Sequence, residues 1–176
     1  MVLTLNNPDL VPFDNAEDLN VVVAYEDWPA AVRARELLRR VGRQCGESGR
    51  LIYSMWKFHV LAEPTLRAMA AAEVTSADIV VFSAKDGPNL PNHVKKWINR
   101  WLPTKGGRRT AMVALLKSGE PQTWSAGGIQ SYLEEVAKAG HMELFCQTCR
   151  ESKELPLEEP RQHRPAIQVN GQTMSH

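Results

Sequence analysis

The run from Ala77 to Leu102, ADIVVFSAKDGPNLPNHVKKWINRWL, constrains the fold of this chain more than any other stretch. Its first part, Asp78 to Phe82, is apolar and β-branched, which is typical of a strand that is covered on both faces. Turn-forming residues fill Ser83 to Leu90, and apolar residues then recur at helical spacing, with Asn89 or Asn92 as candidate helix caps. A strand, a polar loop and a helix in this order place the loop at the carboxyl edge of a parallel sheet, where doubly wound domains bind ligands.

The rest of the sequence repeats this alternation of strand and helix. Gly42 is placed to end the first helix, and Gly140 is placed to end the last one. The pattern predicts one doubly wound α/β domain, with a five-stranded parallel sheet in the order 2-1-3-4-5 and helices on both faces. The five predicted strands are Leu19 to Tyr25, Arg50 to Tyr53 with an extension to Met55, Asp78 to Phe82, Thr110 to Leu116 and Met142 to Cys146.

Composition and periodicity divide the chain into three parts. Residues 1–18 are predicted to form an N-terminal arm, residues 19–150 the α/β domain, and residues 151–176 a polar tail without regular structure. A net charge of +1 provides no basic field for nucleic acid, and no apolar run approaches the length of a membrane span. Three Cys is an odd number, which favours reduced thiols and a cytoplasmic protein.

The predicted topology brings three loops together at the carboxyl edge of the sheet. Trp28, Trp56 and Trp124 fall on or near these loops, and aromatic surfaces there suit a small planar ligand or a protein partner. The alternative is that these indoles only seal the loops over the core. The residues that we predict to bind at this edge are Tyr25, Glu26, Asp27, Trp28, Ser83, Lys85, Asp86, Gly87, Asn89 and Trp124.

Other side chains suggest chemistry less strongly. Glu26, Asp27 and Asp86 are hard oxygen ligands of the kind that Mg²⁺ prefers, but a cap for the first helix and solvated turns explain them as well, so we predict no metal. Ser83 ends a strand as a nucleophile might be placed, but no GxSxG turn surrounds it, and we assign no catalytic residue. Lys105 to Arg109 is interpreted as a solvated basic turn.

A pair of cysteines, Cys146 and Cys149, forms a CxxC at the predicted end of the fifth strand. This spacing is compatible with a redox dithiol or with half of a zinc site. No helix is evident after the pair, and no local spacing supplies two further zinc ligands. We therefore predict neither a redox centre nor a zinc site at this pair and assign it no role.

The segment MWKFHVLAEPTLRAMAAAEVTSADIVVFSAKDGPNLPNHVKKWINRWL resembles the middle of flavodoxin-like proteins. The resemblance implies a flavodoxin-like α/β domain and an FMN whose phosphate is held by the loop after the first strand. That loop is Tyr25 to Trp28 here, with two carboxylates and neither a hydroxyl beyond Tyr25 nor a glycine. VVVAYEDWPAAVRARELLRRVG also resembles the start of a response-regulator receiver domain, in which Glu26 and Asp27 match the acidic pair and Ser83 stands at the phospho-acceptor position.

The function that we predict is a ligand-binding or partner-binding module, of a kind found in signalling, without catalysis of its own. It requires no cofactor. The alternatives are an FMN-dependent oxidoreductase with an atypical phosphate loop and a degenerate receiver domain. Residues Trp97 to Leu102, in the predicted helix after the third strand, also suggest a homodimer surface.

Overall fold

The computed structural model describes residues 18–46, 49–118 and 128–149. Strands and α-helices alternate along these residues, with short 3₁₀ helices at Phe58–Ala62 and Leu102–Lys105. The elements are β1 (Leu19–Tyr25), α1 (Trp28–Gln44), β2 (Leu51–Lys57), α2 (Pro64–Ser76), β3 (Ile79–Lys85), α3 (Asn92–Trp101), β4 (Ala111–Lys117), α4 (Ile129–Ala139) and β5 (Glu143–Cys149).

The five strands form one sheet in the order β2-β1-β3-β4-β5, and every neighbouring pair is parallel. This confirms the α/β class, the strand order 2-1-3-4-5 and the flavodoxin-like topology predicted from the sequence. The central strands are continuous apolar runs because both faces of the sheet are covered. Val23, Val81 and Ala114 are all fully buried.

The two faces of the sheet carry different helices. Leu37 and Leu38 of α1 pack on one face, while α2, α3 and α4 pack on the other. The centre of that second layer is aromatic: the Trp97 ring lies edge-on to Phe82 at 5.8 Å and to Trp101 at 5.7 Å. The two indoles are buried in the core, as the helical spacing predicts, so this face of α3 does not supply an exposed homodimer surface.

The ends of several elements differ from the predicted ones. Helix α1 continues through Gly42 to Gln44, and the chain turns instead at Gly46, whose φ of 65° is a conformation that glycine adopts without strain. Helix α3 is capped at Pro91 without any side-chain hydrogen bond, so neither predicted asparagine cap forms. Strand β2 runs to Lys57, because its residues continue to pair with β1 beyond the predicted end.

The fifth strand does not end at Cys146 as predicted: β5 extends from Glu143 to Cys149 and contains the whole CxxC. Side chains alternate along a strand, so two residues three positions apart point to opposite faces and lie about 10 Å apart. Burial, with smaller contributions from Glu134 and Asp86, raises the pKa of Cys146. Within the described ranges, no three His, Cys, Asp or Glu side chains are placed to hold a metal ion.

Lys105 is not solvated, contrary to the interpretation of residues 105–109 as a surface turn. Its side chain is 1% exposed, and its ammonium donates hydrogen bonds to the carbonyl oxygens of Ala77 at 2.9 Å and of Thr75 at 3.5 Å. These are carbonyls at the end of α2 that the helix itself leaves without partners. Burial lowers the pKa of Lys105 to about 8; Arg108 lowers it further, and Asp78 opposes this shift.

None of the helices in residues 18–46, 49–118 and 128–149 combines the length and hydrophobicity that a transmembrane span requires.

Candidate functional site

The loop between β1 and α1 is built around the Asp27 carboxylate. Asp27 has extended backbone angles, and its Oδ1 accepts a hydrogen bond from the backbone N–H of Ala30 at 3.0 Å. Its Oδ2 lies 3.4 Å from the Lys85 ammonium at the end of β3. Asp27 is therefore the N-terminal cap of α1, as the sequence allowed, and it also joins the first loop to the third strand.

The charge of Asp27 is stabilised where it stands. Partial burial alone would raise the pKa of this carboxyl group. The hydrogen bond from Ala30, the Lys85 ammonium and the Arg33 guanidinium outweigh the burial, so the pKa of Asp27 lies below its ordinary value. Asp27 is accordingly an anion at neutral pH.

Glu26 ties the same two strands together through the backbone. Its N–H donates to the Ser83 carbonyl at 3.0 Å, and its side-chain Oε2 accepts from the Lys85 N–H at 2.8 Å. The Glu26 carboxylate thus satisfies the last backbone donor of β3, while the residue itself stays exposed to solvent. Both acidic residues of this loop are engaged within the domain.

Ser83 and Tyr25 are less accessible than the predicted site requires. The Ser83 side chain is fully buried, and its hydroxyl donates to the Ala30 carbonyl at 2.7 Å. Tyr25 is half-buried and packs with the α1 face of the core. Arg33 of α1 donates to the Ala84 carbonyl at 3.1 Å, a contact that the sequence analysis missed because an arginine on a helix is usually solvated. The strand ends are thus fastened to α1.

The loop after β3 is fastened toward α4 instead. The Asp86 N–H donates to the Lys117 carbonyl at 2.9 Å, and the Asp86 carboxylate accepts from the Gly87 N–H at 3.0 Å. The Gly87 carbonyl in turn accepts from the N–H of Ile129 at 3.0 Å. A Cβ at Gly128 would lie 3.1 Å from that carbonyl, so a side chain at the start of α4 would require the carbonyl to shift by a few tenths of an ångström. Asp86 and Gly87 therefore form a second group, over β4 and α4.

Asn89 belongs to this second group. Its side-chain oxygen accepts from the Lys95 ammonium at 3.2 Å, and the same ammonium lies 5.0 Å from the centre of the Tyr132 ring. Burial, with a smaller effect of Glu135, raises the pKa of Tyr132. The contact of Lys95 with Tyr132 of α4 is not apparent from the sequence, because the distance between these helices is set by the tertiary fold.

The predicted group of three tryptophans is not a single cluster. Trp28 is 69% exposed at the start of α1, on one face of the sheet. Trp56 packs against the opposite face, and its indole N–H donates to the Glu73 carboxylate at 2.8 Å. Trp124 lies outside the described residues. Trp28 is therefore the one predicted aromatic residue that the described structure leaves largely open at this edge.

The parallel strand order defines the chain as an α/β domain of flavodoxin-like topology. No protein-family model matches the sequence, and no curated protein sequence matches it either.

Two solved structures are similar to this chain at a low level. The Trp repressor binding protein from Bacillus subtilis has a TM-score of 0.44 and 10% identity, covering 76% of this chain and 87% of its own. The flavodiiron protein from Giardia intestinalis has a TM-score of 0.43 and 14% identity, covering 80% of this chain. This chain spans only 32% of the flavodiiron protein.

Proposed function

We propose that this flavodoxin-like domain is a binding module without catalysis of its own, which engages a protein partner or a small planar ligand through Trp28 and the adjoining β1–α1 loop. The main support for the proposal is that a side chain of the protein itself occupies the N-terminus of helix α1. In this chain an internal carboxylate, Asp27, accepts the hydrogen bond that the helix offers there.

A helix N-terminus attracts anions because its first N–H groups lack partners and the helix dipole is positive there. Asp27 already takes the Ala30 N–H, and Lys85 lies beside the same carboxylate. A ligand phosphate would have to displace Asp27 and then lie close to Glu26. Both steps oppose a flavin phosphate at this loop, which argues for a binding surface without FMN.

The exposed surface beside this loop suits a protein partner better than it suits a flavin phosphate. Trp28 is 69% exposed, and Val32, one helical turn later on the same side of α1, is 49% exposed. Tryptophan is enriched among the residues that dominate binding energies at protein interfaces. An aromatic anchor beside Glu26 favours a partner that presents an apolar pocket with cationic or neutral surroundings.

An FMN-dependent oxidoreductase is the alternative, because an exposed indole can stack on a flavin ring without any phosphate site. A degenerate receiver domain is supported less, since the hydroxyl of Ser83 is buried against Ala30.

The first experiment separates the module from the flavin enzyme. Purified full-length protein is titrated with FMN and, in parallel, with riboflavin, while flavin and tryptophan fluorescence are recorded. We expect no saturable signal up to about 100 μM of either, an affinity limit of roughly −5.5 kcal/mol. Micromolar binding of both compounds that Trp28→Ala abolishes would establish the flavin reading instead.

A matched pair of variants tests the role of the acidic loop. Asp27→Ser combined with Glu26→Gln keeps a capping oxygen and removes both charges, whereas Glu36→Gln removes a remote charge on the same helix. FMN binding that appears only in the first variant would show that the carboxylates exclude the phosphate.

A positive test places a photo-crosslinking amino acid at position 28 and, as a control, at the exposed position 40, three turns further along the same helix and about a third of a turn around it. A partner is expected to be crosslinked from position 28 and not from position 40. The affinity of that partner for the protein without the photo-crosslinking residue is expected to fall at least about tenfold on Trp28→Ala, as for a residue that anchors an interface. Equal crosslinking from both positions would contradict a Trp28-centred surface.

A further inference from the structure

Strand β2 forms one edge of the sheet and exposes apolar side chains there. Within the described residues it pairs with β1 alone. Ile52 and Tyr53 are 46% and 48% exposed, and the one charged residue of the strand is Lys57 at its end. Natural edge strands are usually protected by charges or proline, and an unprotected apolar edge is a template for pairing with another strand.

The backbone of β2 is ready for such pairing. The Leu19 N–H donates to the Arg50 carbonyl at 2.8 Å, so Arg50 faces β1. In a parallel pair, alternate residues direct their N–H and C=O groups to opposite sides of the strand. Leu51, Tyr53 and Met55 therefore point their backbone groups toward the outer side.

We propose that a second copy of this chain pairs with this edge, antiparallel to the first, about a two-fold axis through Tyr53. In this register Tyr53 lies opposite Tyr53 of the second copy, and Leu51 lies opposite the second copy's Met55. Aromatic and apolar cross-strand pairs of this kind stabilise sheets. Leu51, Tyr53 and Met55 all point their backbone N–H and C=O groups outward, so the two copies can hydrogen-bond to each other in this register. This proposal stands independently of the function proposed above.

The charge of Glu73 disfavours the neighbouring register that is centred on Ser54. Glu73 of α2 accepts hydrogen bonds from the Ser54 hydroxyl and the Trp56 indole, so its carboxylate lies over β2. An axis through Ser54 would bring the two Glu73 carboxylates together. An axis through Tyr53 instead places Arg50 of the second copy opposite Trp56, so that a guanidinium lies near each carboxylate. The Arg50 side chain is 80% exposed and pairs with Asp18 at the surface, so in the dimer it would exchange one solvated carboxylate for another at little cost.

The first test is the mass of the full-length protein by sedimentation equilibrium from about 5 to 500 μM. A paired edge is a small interface, so we expect a reversible dimer of micromolar affinity that exceeds the 19.7 kDa monomer as concentration rises. Tyr53→Lys puts two ammonium groups on the axis and is expected to weaken the dimer at least about tenfold. Tyr53→Phe should retain it, and Thr148→Lys on the other edge strand, β5, should leave it unchanged.

A second test does not depend on the fold tolerating a lysine. In a variant whose three native cysteines are replaced by alanine, Tyr53→Cys is expected to form a disulfide-linked dimer on mild oxidation, because opposite residues on an axis lie within disulfide reach. Ser54→Cys should not, since two copies of that position would be offset along the strands. A monomer at every concentration, equal weakening by Thr148→Lys, or crosslinking at position 54 rather than 53 would each overturn the proposal.

Discussion

Two lysines at opposite ends of the sheet have very different surroundings. Lys85 lies at the carboxyl edge with a 64% exposed side chain, 3.4 Å from the Asp27 carboxylate. Lys105 lies at the amino end, 1% exposed, with carbonyl oxygens as its hydrogen-bond partners. Water screens the first pair, whereas the second ammonium depends on the protein for its solvation. The Lys85–Asp27 ion pair therefore contributes little to stability, whereas the contacts of Lys105 fix the amino end.

The largest expected difference between the two ends is in stability. Lys105→Ala leaves a cavity where the buried stem was and removes the hydrogen bonds to Thr75 and Ala77. We expect a loss of roughly 3 kcal/mol in the free energy of unfolding, measured in urea at pH 10.5, where the Lys105 amine is neutral in the folded protein and the cost of burying its charge does not offset the lost contacts. Arg109→Ala, an exposed change in the same turn, is the control and should stay within about 0.5 kcal/mol of the parent. A loss below 1 kcal/mol for Lys105→Ala would mean that Lys105 contributes no more to stability than the exposed Lys85.

The sequence does not distinguish these lysines, which explains why the burial of Lys105 was not predicted. Residues 105–109 contain two glycines and three basic residues, a composition that is normally solvated. The burial of Lys105 comes from its position in the 3₁₀ helix after α3, which brings it beneath the end of α2. That contact joins residues 28 positions apart, and local pattern carries no information about it.

A second contrast between the two ends is in their pH dependence. The pKa of Lys105 is about 8 in the folded chain and its ordinary value is 10.5, so between these pH values the folded protein releases a proton that the unfolded chain keeps. The unfolded state then binds more protons, and stability rises with pH across this window, by up to about 3 kcal/mol.

The comparison protein for this measurement is Lys105→Met, which keeps most of the buried volume. Urea unfolding at pH 7.5, 8.5 and 9.5 should show the rise in the parent and a flatter profile in the variant. Tyr132, whose raised pKa acts in the opposite direction at high pH, is common to both proteins and cancels. Parallel profiles would show that Lys105 is not the titrating group.

The candidate site was predicted in part for the same physical reasons. Strand order and loop position follow from hydrophobic pattern and right-handed crossovers, so Glu26, Asp27 and Lys85 were correctly brought to one edge. The sequence did not predict that the residues at this edge form two groups, one joined to α1 and the other lying over β4 and α4. The Asp86 N–H donates to the Lys117 carbonyl, and the Gly87 carbonyl accepts from the Ile129 N–H. Asn89 is held separately, by the Lys95 ammonium. These contacts depend on the packing of β4, α3 and α4 rather than on any motif in the loop.

The smallest expected effects lie at the carboxyl edge, where they separate capping from charge pairing. Asp27→Ala removes the cap of α1 and should cost about 1 kcal/mol, whereas Lys85→Ala, which removes only a solvated ion pair, should cost less than about 0.5 kcal/mol.

Because the pKa of Asp27 is lowered on folding, its contribution is complete above the unfolded value of 3.8 and disappears as pH falls through the folded value. Asp27→Ser keeps a capping oxygen without the charge and should remove this acid sensitivity while losing only part of the stability. Equal losses for Lys85→Ala and Asp27→Ala in urea unfolding at pH 7 would mean that the ion pair, and not the cap, holds the loop together.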